Sequence, residues 1–329
     1  MKIAYTVCSL NRLGQVVVLA KSLLQHNPEY RFIVGLADEI LDRIDVKSFP
    51  FIEFISLSTL QIPQLDKMDK QYNIFELSCA LKAFYGNHLF EKYNPEILLY
   101  FDTDICVYNS FDTIEEALNN HSILLSPHFI SAPPDDGKYP LERDVLNSGL
   151  YNGGFIGLKN GLIAKLFLSW WQQRLSDQGF YNVCEGMMVD QLWLNLVPIY
   201  FKEFHFLTNE GCNLAYWNMH ERKLTEKNGQ YFANDKPLIF FHFSGFRIDK
   251  PALLSTHQNR FKLSENEALQ SLANNYTDLL TANNFISYLL MECVYGKKKP
   301  VKHHSLPKKI LMRALAMVGY KLEKIRKLN

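Results

Sequence analysis

The chain has 329 residues, of which 47% are hydrophobic and 21% are charged, and its formal net charge at pH 7 is +1. These values are typical of a globular protein with one large α/β domain or two small ones. Residues 297–329 contain eleven Lys or Arg and one Glu, about +10, which leaves about −9 for residues 1–296. An acidic body without a recognition motif argues against nucleic-acid binding.

The six cysteines form no close pair, and several lie inside apolar runs. This indicates buried, reduced thiols in a cytosolic protein rather than disulfides or a zinc site. The apolar start of the chain ends at Asn11, so it is too short for a signal peptide, and no other run approaches transmembrane length. We therefore expect a cytoplasmic protein.

Strands and helices alternate along the first hundred residues. Apolar, β-branched runs predict strands at 3–8, 31–37 and 51–57, and helical spacing predicts a helix over 14–25. Asn73 and Glu76 resemble a capping box, which predicts a helix that continues to Leu89. This alternation predicts a parallel, doubly wound sheet.

The second half of the chain continues in the same way. Further strands are predicted at 98–108, 122–128, 154–160 and 238–245, and helices at 162–175 and from Asp190 onward. The segment 131–143 is rich in Pro, Asp and Gly, and we expect it to be a mobile loop.

The run LLYFDTDICVY at 98–108 contains two carboxylates, Asp102 and Asp104, in an otherwise apolar strand. Two buried, ionised carboxylates without partners would cost several kcal/mol each. Side chains two residues apart on a strand share a face, and doubly wound sheets bind ligands at the carboxyl ends of their strands. We therefore expect this pair to hold a divalent cation, Mg²⁺ or Mn²⁺.

Two other interpretations of this pair stay open. In the first, the strand has already ended and both carboxylates flank a solvated turn. In the second, the chain is a haloacid-dehalogenase-like phosphotransferase or phosphatase with Asp102 as its nucleophile, although that motif usually lies on the first strand.

Other polar residues accompany the acidic pair. His242 follows an apolar strand and is a candidate third ligand through its neutral imidazole. The NGG run at 152–154 would allow a ligand to approach the backbone closely, or would simply form a turn. Asp190 and Gln191 stand at a predicted helix start, where Asp190 would otherwise be an N-cap.

Taken in order, these motifs resemble those of GT-A-fold glycosyltransferases, above all glycosyltransferase family 8. The strings YNGGFIGLKN and VDQLWLNLVP also resemble bacterial glycosyltransferases of polysaccharide gene clusters. The resemblance covers roughly residues 3–260. It implies a Rossmann-like GT-A domain with a mostly parallel central sheet at 1–260, a helical extension at 261–296 and a basic amphipathic tail at 297–329. Its motifs are DTD at 102–104, NGG at 152–154, VDQ at 189–191, and HFSG at 242–245 followed by Lys250 and Pro251.

The resemblance implies a metal-dependent hexosyltransferase. Such an enzyme moves a sugar from a nucleotide-diphosphate donor, most commonly a UDP-sugar, to a glycan or a lipid-linked saccharide. The implied metal ligands are Asp102, Asp104 and His242. The residues implied in donor binding are Thr6, Cys8, Lys82, Asp102, Gly153, Lys250 and, because the gap before Lys250 is longer than usual, Arg247. The residues implied beside the transferred sugar are Asn152, Asp190 and Gln191. A non-catalytic nucleotide-sugar-binding protein is the alternative.

The basic tail at 297–329 has its apolar residues spaced as one helical stripe, with basic residues largely off it. A basic amphipathic helix predicts attachment to an anionic membrane surface, here the inner face of the cytoplasmic membrane. A solvated terminal helix and a packing arm in an oligomer remain alternatives. The stripe consists of Leu311, Leu315, Val318, Leu322 and Ile325.

Overall fold

The computed structural model describes residues 1–40 and 42–296. The predicted amphipathic tail at 297–329 lies outside these residues. The strands are β1 (Lys2–Cys8), β2 (Tyr30–Leu36), β3 (Glu53–Ile55), β4 (Ile97–Phe101), β5 (Ile105–Val107), β6 (Ile123–Pro127), β7 (Tyr151–Lys159), β8 (Tyr181–Asn182), β9 (Met187–Met188), β10 (Phe204–Phe206), β11 (Leu224–Lys227), β12 (Gln230–Ala233), β13 (Lys236–Pro237) and β14 (Phe240–His242). The α-helices are α1 (Leu13–His26), α2 (Leu65–Gln71), α3 (Ile74–Tyr93), α4 (Asp112–Asn120), α5 (Glu142–Ser148), α6 (Leu162–Leu175), α7 (Val197–Tyr200), α8 (Glu267–Ala282) and α9 (Phe285–Leu289).

A seven-stranded central sheet organises the fold, with the strand order β10-β6-β7-β4-β1-β2-β3. Strands β1, β2, β3 and β4 run parallel to one another, as do β6 and β10. Strand β7 lies antiparallel between β4 and β6. The predicted α/β class with a mostly parallel sheet is therefore confirmed.

Helices cover both faces of this sheet. Alternate residues of β1 enter different cores, since Ile3 and Tyr5 pack with α3 and α6, whereas Ala4 packs with α1 and α4. Each face of the sheet thus packs against its own apolar core. This explains why the parallel strands carry apolar residues on both faces. The capping box at Asn73 and Glu76 is present at the start of α3, as predicted.

Four predicted elements differ from the structure. The strand predicted at 98–108 is divided into β4 and β5 by a turn at 102–104. The strand predicted at 51–57 shortens to β3, and the one predicted at 238–245 shortens to β14, which pairs antiparallel with β5 outside the main sheet. The helix predicted from Asp190 is a 3-10 helix over Gln191–Leu196 followed by the single turn α7. Pro198 lies in the first turn of α7, where its missing N–H is tolerated.

The segment 261–296 packs against the first helix of the chain. A Cβ on Gly14 of α1 would lie 2.5 Å from the Cα of Phe285, so α9 approaches the α1 backbone closely. The chain then crosses the ends of β1 and β2, where the Val294 N–H donates to buried Asp38 at 3.0 Å. A domain boundary at residue 260 stays a prediction. No helix among the described residues is long and apolar enough to span a bilayer.

The loop at 131–143 is tied to the rest of the fold by Arg260. This buried guanidinium forms a bidentate ion pair with Asp136, at 3.0 and 3.1 Å, and donates to the carbonyls of Lys138 and Pro140. The Tyr139 N–H also donates to the side chain of Asn259 at 2.8 Å. This ion pair and these hydrogen bonds oppose the mobility that we expected for the segment 131–143.

We expect Arg260→Met to free this loop. Each lost hydrogen bond to a charged group is worth about 1.5–3 kcal/mol, so tryptic cleavage after Lys138 should accelerate about tenfold or more. Lys262→Met, which removes an exposed cation close by, is the control and should leave the cleavage rate unchanged. Equal cleavage rates in both variants would contradict the assignment.

Candidate metal and donor site

Asp102 and Asp104 lie in a tight turn between β4 and β5. The Asp102 N–H donates to the Gly154 carbonyl at 2.8 Å, and the Ile105 N–H donates back to the Asp102 carbonyl at 3.3 Å. The two side chains therefore converge because of this turn, and the expectation that they share the face of an extended strand is wrong. The turn is not fully solvated either, since the Asp102 and Asp104 side chains are only 32% and 24% exposed.

His242 joins the acidic pair from β14. The pairing of β14 with β5 sets His242 opposite Ile105, and the Phe243 N–H donates to the Asp104 carbonyl at 2.8 Å. The His242 Nε2 atom then lies 3.0 Å from Asp104 Oδ1. Ligand atoms of Asp102, Asp104 and His242 all lie within 4.8 Å of one another. The convergence predicted from the sequence is therefore present.

Lys82 of α3 forms the second half of the site. Its Nζ atom lies 3.0 Å from Asp102 Oδ1 and 2.9 Å from Asp190 Oδ2, and it donates to the Gly153 carbonyl at 3.0 Å. The Tyr100 hydroxyl donates to the same Asp102 oxygen at 2.5 Å. Lys82 is a buried cation that links the acidic turn to Asp190 and to the NGG run.

The NGG run is held by side-chain amides. Gln191 accepts from the Gly153 N–H at 2.9 Å and donates to the Ser148 carbonyl at 2.8 Å. Asn152 accepts from the Gly154 N–H at 3.1 Å. A Cβ on Gly154 would lie 2.4 Å from His242 Cε1 and 2.9 Å from Asp102 Oδ2. Glycine at 154 is therefore what allows the imidazole and the carboxylate to meet over this strand.

The charges of the site shift one another's pKa values. Burial alone would raise the pKa of Asp104, but the charge and hydrogen bond of His242 outweigh it and lower that pKa. Burial likewise acts to lower the pKa of His242, and Asp104 more than offsets this, so the pKa is raised. For Asp190, burial raises the pKa and Lys82 offsets only part of the rise. Three carboxylates thus share two cationic partners, and a further positive charge is compatible with the site.

The other residues implied in donor binding are more scattered. Thr6 and Cys8 lie buried on β1, next to β4, and burial raises the pKa of the Cys8 thiol to about 12. Arg247 and Lys250 are exposed, and Arg247 forms a bidentate pair with Asp249 at 2.7 and 2.9 Å. The structure thus brings Lys82, Asn152, Gly153, Asp190 and Gln191 to the Asp102–Asp104–His242 cluster, whereas Arg247 and Lys250 lie in the loop beyond it.

Sequence reasoning missed three polar residues of the site. Tyr100 precedes the acidic turn on the same strand, and it reads as an ordinary core aromatic. His128 directly follows β6 and lies against Asn152, and Asn213 lies against both Asn152 and His242. Asn213 begins the run NLAYWN at 213–218, in which the aromatic residues Tyr216 and Trp217 are the more conspicuous. One sequence feature could have identified His128 as a site residue, namely its position directly after an apolar strand.

We expect Gly154→Ala to separate the candidate metal ligands Asp102 and His242. Overpacking of this kind costs about 1–3 kcal/mol, so Mn²⁺ binding measured by calorimetry should weaken about tenfold or more. Gly161→Ala is the matched control, because a Cβ there has nothing within 4 Å. If Gly154→Ala binds Mn²⁺ as tightly as Gly161→Ala does, the ligands do not meet over this strand.

No family model matches the chain. Over 252 residues the chain is 30% identical to YfnF of Bacillus subtilis strain 168, which covers 74% of the chain and 81% of YfnF. It is 25% identical over 255 residues to YfnD of the same organism, over 74% of the chain and 77% of YfnD. Both relatives are uncharacterized proteins.

The fold is similar to that of a solved glycosyltransferase. The galactosyltransferase LgtC, crystallised in complex with donor and acceptor sugar analogs, superposes with a TM-score of 0.51 at 16% identity. The superposition covers 86% of the chain and 96% of LgtC. The predicted GT-A fold, with its resemblance to GT-A-fold glycosyltransferases, is therefore confirmed.

Proposed function

The chain belongs to the family of Bacillus subtilis YfnF, and on that premise, together with its GT-A fold, we propose that it is a glycosyltransferase. Its donor is a nucleotide-diphosphate sugar, most simply a UDP-sugar, and its acceptor is a glycan or a lipid-linked saccharide. LgtC, which binds donor and acceptor sugar analogs, supports both classes of partner.

One observation carries the proposal. Asp102, Asp104 and His242 come from segments more than a hundred residues apart, yet their ligand atoms gather within 4.8 Å. They do so at the carboxyl end of β4, a central strand, where doubly wound sheets bind ligands. The phosphotransferase alternative expects its acidic pair on the first strand, whereas this pair follows the fourth.

The cluster fits a divalent cation in its chemistry. Two carboxylates and one imidazole are ligands that Mn²⁺ accepts readily, and Mg²⁺ accepts the carboxylates. Gly154 leaves open the space that a Cβ would fill between His242 and Asp102. When bound, such a cation would stabilise the negative charge of a leaving diphosphate.

The protein's own groups would orient the donor. We assign Lys82 to fixing Asp102 and the Gly153 carbonyl in place, through contacts of 3.0 Å each. Gln191 fixes the Gly153 N–H, and Asn152 fixes that of Gly154. Asp190, 2% exposed, pairs with Lys82 at 2.9 Å, and its charge would favour the oxocarbenium-like sugar carbon. Fixed dipoles and charges of this kind need no reorganisation as the charge develops.

The diphosphate also requires cations from this chain. The exposed Arg247 and Lys250, five and eight residues after His242, are the candidates, and Thr6 and Cys8 are the candidates for contact with the base. In this proposal Asp249 releases Arg247 when a diphosphate takes its place, because phosphate oxygens accept the same bidentate fork.

A nucleotide-sugar screen tests the proposal. We expect Mn²⁺ together with one nucleotide sugar to raise the melting temperature, and the same sugar to be hydrolysed slowly without an acceptor. Binding without hydrolysis or transfer would indicate a non-catalytic nucleotide-sugar-binding protein. A phosphoaspartate trapped at Asp102 would favour the phosphotransferase alternative.

Attachment to the cytoplasmic membrane face through residues 297–329 remains part of the proposal. Its support is the sequence of that segment, with eleven cations and a helical apolar stripe. Deletion of residues 297–329 should release the protein from membrane fractions and from anionic vesicles. Retention of the truncated protein on such vesicles would exclude this role.

A further inference from the structure

Five large apolar side chains are exposed on three neighbouring segments of the chain. These segments are the start of α3, the hairpin of β8 and β9, and α5 with the loop that follows it. The five side chains are between 40% and 66% exposed. Clustered apolar residues on a surface indicate contact with a protein or a membrane, whereas single scattered ones do not. We call this cluster the apolar rim; it consists of Phe75, Leu146, Leu150, Tyr181 and Val183.

The three segments of the apolar rim are held together. Glu76 accepts from the Tyr181 N–H at 2.9 Å and, through its other oxygen, from the Asn73 N–H at 2.8 Å. This carboxylate therefore ties the hairpin to the first turn of α3. The rings of Phe75 and Tyr181 meet edge to face, with 6.2 Å between their centroids. Strand β9 pairs with β8 and packs against α5, so the apolar rim is continuous from α3 to α5.

The apolar rim borders the candidate site. The hairpin leads into Asp190, and the side chain of Gln191 donates to the carbonyl of Ser148 at the end of α5. Phe75 lies on the same helix as Lys82, two turns before it. A bilayer against this surface would therefore bring a lipid-linked acceptor next to the site.

The described part of the chain ends beside the apolar rim. The Gly296 N–H donates to Asp69 at 2.6 Å. A Cβ on Gly296 would lie 2.4 Å from the backbone nitrogen of Ile74, the residue that precedes Phe75. The sequence continues with three lysines, and residues 297–329 contain eleven Lys or Arg. The basic part of the sequence therefore starts next to the exposed aromatic residue of α3.

We propose that the apolar rim inserts into the headgroup region of an anionic bilayer. Aromatic side chains favour this region, and cations next to an apolar surface add attraction to anionic lipids. A symmetric dimer through the same surface would start two segments of about +10 side by side, and their repulsion disfavours a second copy as the occupant. The inference rests on the proposed function for attachment through residues 297–329, and it adds which face of the folded body meets the bilayer.

Vesicle binding by single variants of the full chain tests the proposal. In Phe75→Ser and in Val183→Ser, an exposed apolar group is replaced by a polar one. Burial of an apolar side chain of this size changes a partition coefficient about tenfold or more. We therefore expect each variant to bind vesicles of phosphatidylglycerol and phosphatidylcholine about tenfold more weakly than the wild type does. Thermal melting checks that each variant is folded.

Leu162→Ser is the matched control. Leu162 is 72% exposed, and it follows the end of β7 at which Lys159 pairs with Ile97, the first residue of β4. Leu150 of the apolar rim precedes the other end of β7, about 30 Å away along the strand. Leu162→Ser should therefore bind these vesicles as tightly as the wild type does.

A fluorophore on the hairpin reports the contact directly. Of the six cysteines, which all lie in the described part of the chain, only Cys184 is exposed, and it follows Val183. An environment-sensitive fluorophore on Cys184, in full-length protein with Cys293→Ser, should shift its emission to the blue when anionic vesicles are added. The same fluorophore on Gln230→Cys, an exposed position on β12, should not shift in protein with Cys184→Ser and Cys293→Ser.

The outcomes separate this inference from the proposed attachment. Vesicle binding that is unchanged in Phe75→Ser and Val183→Ser, or equally weakened in Leu162→Ser, would overturn the contact while attachment through residues 297–329 stands. A fluorophore on Cys184 that stays in water would do the same. A dimeric wild type that Val183→Ser converts to a monomer would assign the apolar rim to a second copy. Should the wild type bind no anionic vesicles, the attachment and this inference both fail, and hydrolysis of a nucleotide sugar still decides the glycosyltransferase activity.

Discussion

Asp104→Asn should reduce metal-dependent hydrolysis of the nucleotide sugar about 10²–10³-fold, the usual effect of removing one charge-stabilising group from an active site. The change replaces a carboxylate, one oxygen of which lies 3.0 Å from His242 Nε2, with a neutral amide, while the Asp104 carbonyl keeps its bond from the Phe243 N–H. Initial rates at saturating donor, measured across a Mn²⁺ titration, give the effect.

This variant should remain folded. Burial acts to lower the pKa of His242, and the Asp104 carboxylate is the main group that raises it. Without that carboxylate the pKa of His242 falls, which favours the neutral imidazole over an unpaired buried charge. Asp135→Asn changes the same charge on the exposed loop and should retain full activity. Wild-type rates in Asp104→Asn at saturating Mn²⁺ would exclude Asp104 as a ligand of the proposed cation.

The sequence predicted the parts of this protein that long periodic patterns encode. The apolar runs of β1 and β2, the spacing of α1 and α6 and the capping box of α3 are local signals, and each element forms at the predicted place. The meeting of Asp102, Asp104 and His242 was expected from strand ends that share one edge of a doubly wound sheet. Asp102 does follow β4 of that sheet, but His242 ends β14, which pairs with β5 outside it.

Short elements explain what the sequence could not predict. Strands β5 and β14 have three residues each, too few for any hydrophobic period, yet their pairing is what sets His242 beside Asp104. The tight turn at Asp102 likewise depends on the bond from its N–H to Gly154 on a different strand. Asn213 matters through contacts with residues 61 and 29 positions away, for which one sequence contains no signal.

Lys82→Met should cost about 3–5 kcal/mol of the free energy of unfolding, because it leaves buried carboxylates without their cation. The Lys82 and Asp190 side chains are only 5% and 3% exposed, and Asp102 shares the same partner. Urea denaturation measures the loss. Lys92→Met is the matched control on the same helix: its side chain is 45% exposed and lies 3.8 Å from Glu53, so the expected change is within about 0.5 kcal/mol.

The loss of stability caused by Lys82→Met should be larger at high pH than at low pH. In the wild type, burial raises the pKa of Asp190 and Lys82 offsets part of that rise, so removing Lys82 raises the pKa further. The folded variant then holds the Asp190 proton more tightly than the unfolded chain does, and stability is lost as pH rises through the folded pKa. The variant should therefore lie closer to the wild type at about pH 5 than at about pH 8.

The double variant Lys82→Met/Asp190→Asn measures the coupling free energy between Lys82 and Asp190. Asparagine at 190 needs no cation, so the double variant should be less destabilised than Lys82→Met alone, with a coupling of about 0.5–3 kcal/mol. The Asp102 carboxylate, 32% exposed, remains near the vacated position, and recovery should therefore be partial. If Lys82→Met is as stable as Lys92→Met at every pH, the buried lysine does not hold the two halves of the site together.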